Sequence, residues 1–262
     1  MKKFVNLTLD EVNRNKHLYT IAVTLLVIGE IVAIYLSYRR ILKMNLEMIR
    51  LQDIFLIHSL VPAVIFVGVV LLMIMTLFIW FREWSSQGRF IYRLLTLPGN
   101  RPSIAWAKWA SMMLLGLFMM AIQMFLMVIV NQVMDLVNPD YLNIGMKTPL
   151  VMEMPIINLI VPINFPSLLF ILLTLSLLIL VLSNVQLLFF SQLNHSKMKA
   201  LGVTLIYLFV TILSSGISIK FLILDTILKI SEVVWIIFAI LVIFNGLHGY
   251  LMSWLMKHYA RI

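Results

Sequence analysis

The chain has 262 residues, of which 62% are hydrophobic and 12% charged. A soluble domain is about half apolar and a quarter charged, so this chain lacks the polar groups to cover a surface in water. The net charge is +9 and there is no cysteine, which excludes disulfides, thiolate catalysis and cysteine-held metal centres. The basic residues lie in short loops beside apolar runs, the positive-inside pattern of a membrane protein rather than a nucleic-acid patch.

Residues 2–16, KKFVNLTLDEVNRNK, are too mixed in polarity to span a bilayer. Phe4, Val5, Leu9 and Val12 share a helical face, with Lys2, Lys3, Arg14 and Lys16 available to headgroups. Residues 1–17 therefore read as an interfacial helix on the inner leaflet, with a frayed terminus as the alternative. The first apolar run starts near Leu18, contains Glu30 and lacks a small-residue cleavage site, so it is expected to stay as a membrane helix.

Runs of about 20 apolar residues predict spanning helices. Six are expected, over 18–38, 54–81, 109–130, 166–190, 201–219 and 234–254. The fifth is short; it reads either as a tilted span or as half of a re-entrant pair with Lys220 to Ser231. The predicted class is an all-α integral membrane protein. Residues 1–262 form one domain, since no gap holds a separate soluble fold of about 50 residues.

Six spans place both termini on one side. The loops on that side (1–17, 82–108, 191–200 and 255–262) carry thirteen Lys and Arg; the opposite loops carry seven. Acidic residues number three and seven respectively. The termini are therefore expected in the cytoplasm and the chain in the cell membrane. The first outer loop, with Arg39, Arg40, Lys43 and Arg50, runs against this trend. The outer segment 131–165 has four charges (Asp135, Asp140, Lys147, Glu153) and the prolines Pro139, Pro149, Pro155 and Pro162. Such prolines oppose a continuous helix, and an extracellular cap resting on the membrane is expected there.

Chemistry is mostly excluded by what is missing. There is no P-loop, no His-Glu-x-x-His pair and no nucleophile elbow. The five histidines are scattered, so no metal site is expected. Glu30 is the one acid deep within a predicted span. An ionised carboxylate there costs about 2.5–3.5 kcal/mol on insertion scales. It is either a substrate-path or proton-linked group, or a hydrogen-bonded or snorkelling residue near the helix end. Gln123, Asn184, Gln186, Asn245 and His248 read as interhelical hydrogen-bonding groups, with a polar lining as the alternative.

The segment Phe81 to Lys108, FREWSSQGRFIYRLLTLPGNRPSIAWAK, is distinctive. From Arg89 to Leu97, the apolar residues Phe90, Ile91, Leu94, Leu95 and Leu97 cluster on one helix face, with Arg89, Arg93 and Thr96 largely off it. Pro98-Gly99 stops the helix, and Arg101-Pro102 restarts the chain toward the next span. The pattern reads as a short amphipathic helix in the 82–108 loop, its charged face turned to the cytoplasm. An ordinary orienting loop is the alternative.

Glu83-x4-Gly88, then Leu94-Leu95-Thr96-Leu97-Pro98, then Arg101 and Lys108, resembles the loop between the second and third spans of ABC-2 type transporter permeases. That resemblance implies six spans, cytoplasmic termini, an N-terminal interfacial helix and a cytoplasmic coupling helix. It also implies a second permease, like or unlike, and two separate ABC ATPase subunits that hold the ATP and Mg. The chain itself would be no enzyme and carry no cofactor. Segment 83–97 would sit in a groove of the ATPase. Gly88 would give close approach or a bend, Leu94 and Leu95 packing, Arg89 and Arg93 charge pairing, with Glu83 and Pro98 completing the contact. The outer segment is longer than in that family, and the link between the last two spans is shorter.

The expected function is therefore an exporter permease for an amphipathic cargo, such as an antimicrobial peptide, a drug or a lipid-like molecule. The rival is a membrane scaffold or sensor whose basic loop binds anionic lipid or a signalling partner. An ion-driven carrier would call for more buried ionisable groups than Glu30.

Overall fold

The computed structural model describes residues 2–42, 60–85, 101–137, 165–193, 197–224 and 230–258. They form six α-helices: α1 (Lys2–Leu42), α2 (Leu60–Ser85), α3 (Pro102–Val137), α4 (Phe165–Leu193), α5 (Lys197–Leu224) and α6 (Ile230–His258). Five of them, α1 to α4 and α6, are long and apolar enough to cross a membrane; within α5 the stretch Met198–Ser214 is apolar but shorter. This is compatible with a multi-pass membrane protein. Much of the apolar surface faces outward: Phe66 is 69% exposed, Phe125 65% and Phe209 65%. Exposed apolar area spread over several helices suits lipid far better than water.

The ends of the helices follow from local chemistry. Pro102 opens α3, where a missing N–H leaves nothing unsatisfied, and the Arg101 carbonyl accepts from Ile104 N–H at 3.1 Å. Pro62 falls in the first turn of α2 for the same reason. Residues 2–42 form one helix of 41 residues, with no break between the expected interfacial helix and the first span. The expected boundary rested on a change in polarity. A helix stops at proline, at a left-handed glycine or at a competing cap, and residues 15–20, NKHLYT, supply no proline or glycine. The Thr20 hydroxyl donates back to the Lys16 carbonyl at 2.9 Å across that junction. At 1.5 Å per residue α1 is about 60 Å long, twice a hydrocarbon core of about 30 Å. Likewise α3 holds 36 residues, so residues 102–108 and 131–137, expected in loops, are helical. The remainder of the expected cap, 138–164, lies outside the described residues.

The chain divides into two compact units: Met1–Glu11, Met73–Met113 and Leu172–Ile262 make up one, and Val12–Leu72 and Leu114–Ile171 the other. The first packs around Trp80, Ile104, Ala105, Leu180, Leu187, Met252, Leu255 and Met256. Its helices are also tied by tryptophan–serine hydrogen bonds. Trp80 Nε1–H donates to Ser183 Oγ at 3.2 Å, Trp106 Nε1–H to Ser253 Oγ at 3.0 Å, and Trp109 Nε1–H to Ser176 Oγ at 3.2 Å. A buried indole keeps its polar edge only where a partner lies in reach, so these bonds fix which helix faces meet. The second unit packs around Ala33, Ile34, Ile41, Val61, Met127 and Met134. There α1 and α2 approach closely: a β-carbon on Gly29 would lie 3.2 Å from Val64, and one on Gly68 2.5 Å from Leu26.

Candidate functional site

The most concentrated charge among the described side chains lies in the first unit, beside the ends of the 86–100 segment. Glu11 comes from α1, Glu83 from the last turn of α2, and Lys108 from the second turn of α3. Lys108 Nζ donates to Glu11 Oε1 at 2.9 Å and to Glu83 Oε1 at 2.5 Å. All three are buried, Lys108 at 1% and Glu83 at 2% exposure. The ammonium also lies 5.5 Å from the centre of the Trp80 ring, where the ring face attracts a cation. A lysine desolvated this far needs counter-charge, and two carboxylates supply it.

The local sequence explains how the lysine gets there. Residues 105–110 read Ala-Trp-Ala-Lys-Trp-Ala, so the helix around Lys108 is apolar and its small alanines let neighbours close in. Ala105 and Ala107 are buried at 0% and 1% exposure. Lys108 was expected as an orienting loop charge; the structure places it inside a helix bundle. Glu83 was expected at the start of the loop, available to a partner; it sits instead within α2, engaged by Lys108. The other expected coupling residues, Gly88, Arg89, Arg93, Leu94, Leu95 and Pro98, lie outside the described residues.

Glu30 belongs to the second unit. It is 4% exposed on α1 and accepts a hydrogen bond from Gln123 Nε2 of α3 at 3.0 Å. Of the expected interhelical groups, Asn184 donates to the His248 carbonyl at 3.0 Å and Asn245 to the Leu173 carbonyl at 3.0 Å. Tyr207 and His248 Nδ1 share a hydrogen bond of 2.8 Å. These are helix-to-helix bonds, the packing role read from the sequence. Among the described residues no three His, Asp or Glu side chains gather into a metal-holding group.

Sequence reasoning missed Glu11 and Lys108 as partners of Glu83. A signal was present in the flanking of Lys108 by Trp106 and Trp109, because a lone lysine within an apolar, tryptophan-rich turn is poorly placed for water. Comparison with protein-family models, with curated proteins and with solved structures finds no match.

Proposed function

We propose that the chain is the membrane-spanning subunit of an ATP-driven exporter of the ABC-2 type, lying in the cell membrane with both termini cytoplasmic. It would work with a second permease and with separate ATPase subunits that bind ATP and Mg. The observation that carries this reading is the clamp at the base of the 86–100 segment. That segment leaves α2 at Ser85 and rejoins α3 by Pro102, and Lys108 binds Glu83 on one side and Glu11 on the other. Breaking one partner out of a buried ion pair costs about 3–5 kcal/mol. Under smaller loads the N-terminal part of α1, the end of α2 and the start of α3 move as one body. A push by an ATPase on the segment 89–97, expected from the sequence as an amphipathic helix, would thus reach three helices at once.

In this mechanism ATP-driven closure of the partner subunits displaces the segment, and the clamped helices carry the motion into the bilayer to open a path for cargo. The charge-poor spans favour an amphipathic or lipid-like cargo. Leu94→Asp or Arg93→Glu should abolish coupling of ATP hydrolysis to transport, while the chain still inserts into membranes at its normal level. Normal transport in both variants would refute the assignment.

A further inference from the structure

The Glu30 site carries more than an interhelical hydrogen bond. A small cavity lies against it, lined by Glu30 and Gln123 and by the apolar side chains of Ile34, Val61, Ile65, Leu126 and Met127. It leaves about 10 Å³ for the centre of a water-sized sphere, close to the roughly 10–15 Å³ at which one water fits. That size decides what can occupy it. A drug or a peptide side chain has no room; one water does.

The lining decides the rest. From α1, α2 and α3 the groups that face Glu30 are hydrocarbon apart from the Gln123 amide, and none of them is charged or titratable. Tyr38, the titratable residue of the same packed cluster, lies two turns further along α1. Among the described residues no cation pairs with Glu30. A carboxylate enclosed by hydrocarbon inside a spanning helix must be neutralised or matched by a positive charge. A hard metal ion stripped of water wants about six oxygen ligands or more, and among the described residues lining the cavity one carboxylate and one amide are the polar groups. A proton needs a single oxygen. The close approach of α2 at Gly29 and Gly68 packs α2 against the α1 turns beside Glu30.

We propose that Glu30, with Gln123 and one water in this cavity, is a one-proton binding site. The proton arrives from water and returns to water, and the carboxyl alternates between an ionised form, which accepts from Gln123 Nε2–H, and a neutral acid. The site does not depend on the transporter being of the ABC type, and its test reads the carboxyl directly rather than transport.

The experiment is infrared difference spectroscopy on the full chain in lipid, stepped across pH. The wild type should show the carbonyl stretch of one protonated carboxyl that titrates, and Glu30→Gln should lose that band alone. Glu30→Asp should keep a titrating band at a moved frequency, which separates loss of the carboxyl from loss of the fold. Exchanging potassium for sodium at fixed pH should leave the band unchanged. Superimposable wild-type and Glu30→Gln spectra at every pH would overturn the proposal. So would a band that sodium abolishes at fixed pH, which would make this a metal-cation site instead.

Discussion

Lys108 is held by two carboxylates, one from a helix 97 positions away in sequence and one from a helix 25 positions away. Removing its charge takes a buried counter-charge from both acids, so Lys108→Met should lower stability by about 3–5 kcal/mol. Glu11→Gln leaves Lys108 with Glu83 and should cost less, about 1.5–3 kcal/mol for a charge-assisted hydrogen bond. Replacing all three by apolar residues of like volume should cost less than Lys108→Met alone, because the desolvation of all three charges is then removed together. Unfolding in detergent micelles checks the series; a Lys108→Met variant as stable as wild type would refute the clamp. Such a triad is hard to read from one sequence. The residue types are visible, but a lysine in a loop and a lysine in a core look alike until the partner helices are known. Glu30 was legible, because an acid inside an apolar run stands out whatever its partner; Gln123 as that partner was not.

At the scale of the helix, the tightest glycine contacts sort by what they face. A β-carbon at Gly249 would lie 2.9 Å from Trp106 Cη2, on a rigid ring that Ser253 pins through its indole N–H. Overpacking of this kind costs about 1–3 kcal/mol. A β-carbon on Gly246, one turn earlier on α6, would meet nothing within 4 Å among the described residues, so alanine there should gain about 0.5–1 kcal/mol from helix propensity. Thermal unfolding should therefore rank Gly249→Ala below wild type and Gly246→Ala at or above it; the reverse order would show that α3 and α6 do not meet at Trp106. The start of α3 was not legible, since residues 102–108 were expected in a loop; the positions of the long apolar helices were, from their apolar runs. Helix ends were less so, since α1 and α3 continue well past their apolar stretches. Polarity marks where a bilayer could end, whereas a helix ends only where its backbone bonding fails.

Over the whole molecule, the clamp bears on orientation. Of the thirteen basic and three acidic residues in the loops that the sequence leads one to expect on the cytoplasmic side, Lys108, Glu11 and Glu83 are buried against one another. Twelve basic residues and one acidic residue then remain for that side, so the asymmetry sharpens. The five described helices long and apolar enough to cross a membrane were each visible in the sequence as apolar runs, whereas α5, whose apolar stretch Met198–Ser214 is shorter, was ambiguous there. The two compact units were not visible, because α1, α2, α3 and α4 each contribute to both, and no feature of the sequence marks a boundary inside a continuous helix.

The proposal that ATPase subunits drive this chain through the segment 86–98 can be tested directly. The direct measurement is purification of the tagged chain from its native membranes, followed by assay of ATP hydrolysis in the isolated complex. The account predicts an ABC ATPase that co-purifies with the wild type and is lost from the Leu94→Asp variant. A wild-type chain that inserts normally but brings no nucleotide-hydrolysing subunit would contradict it.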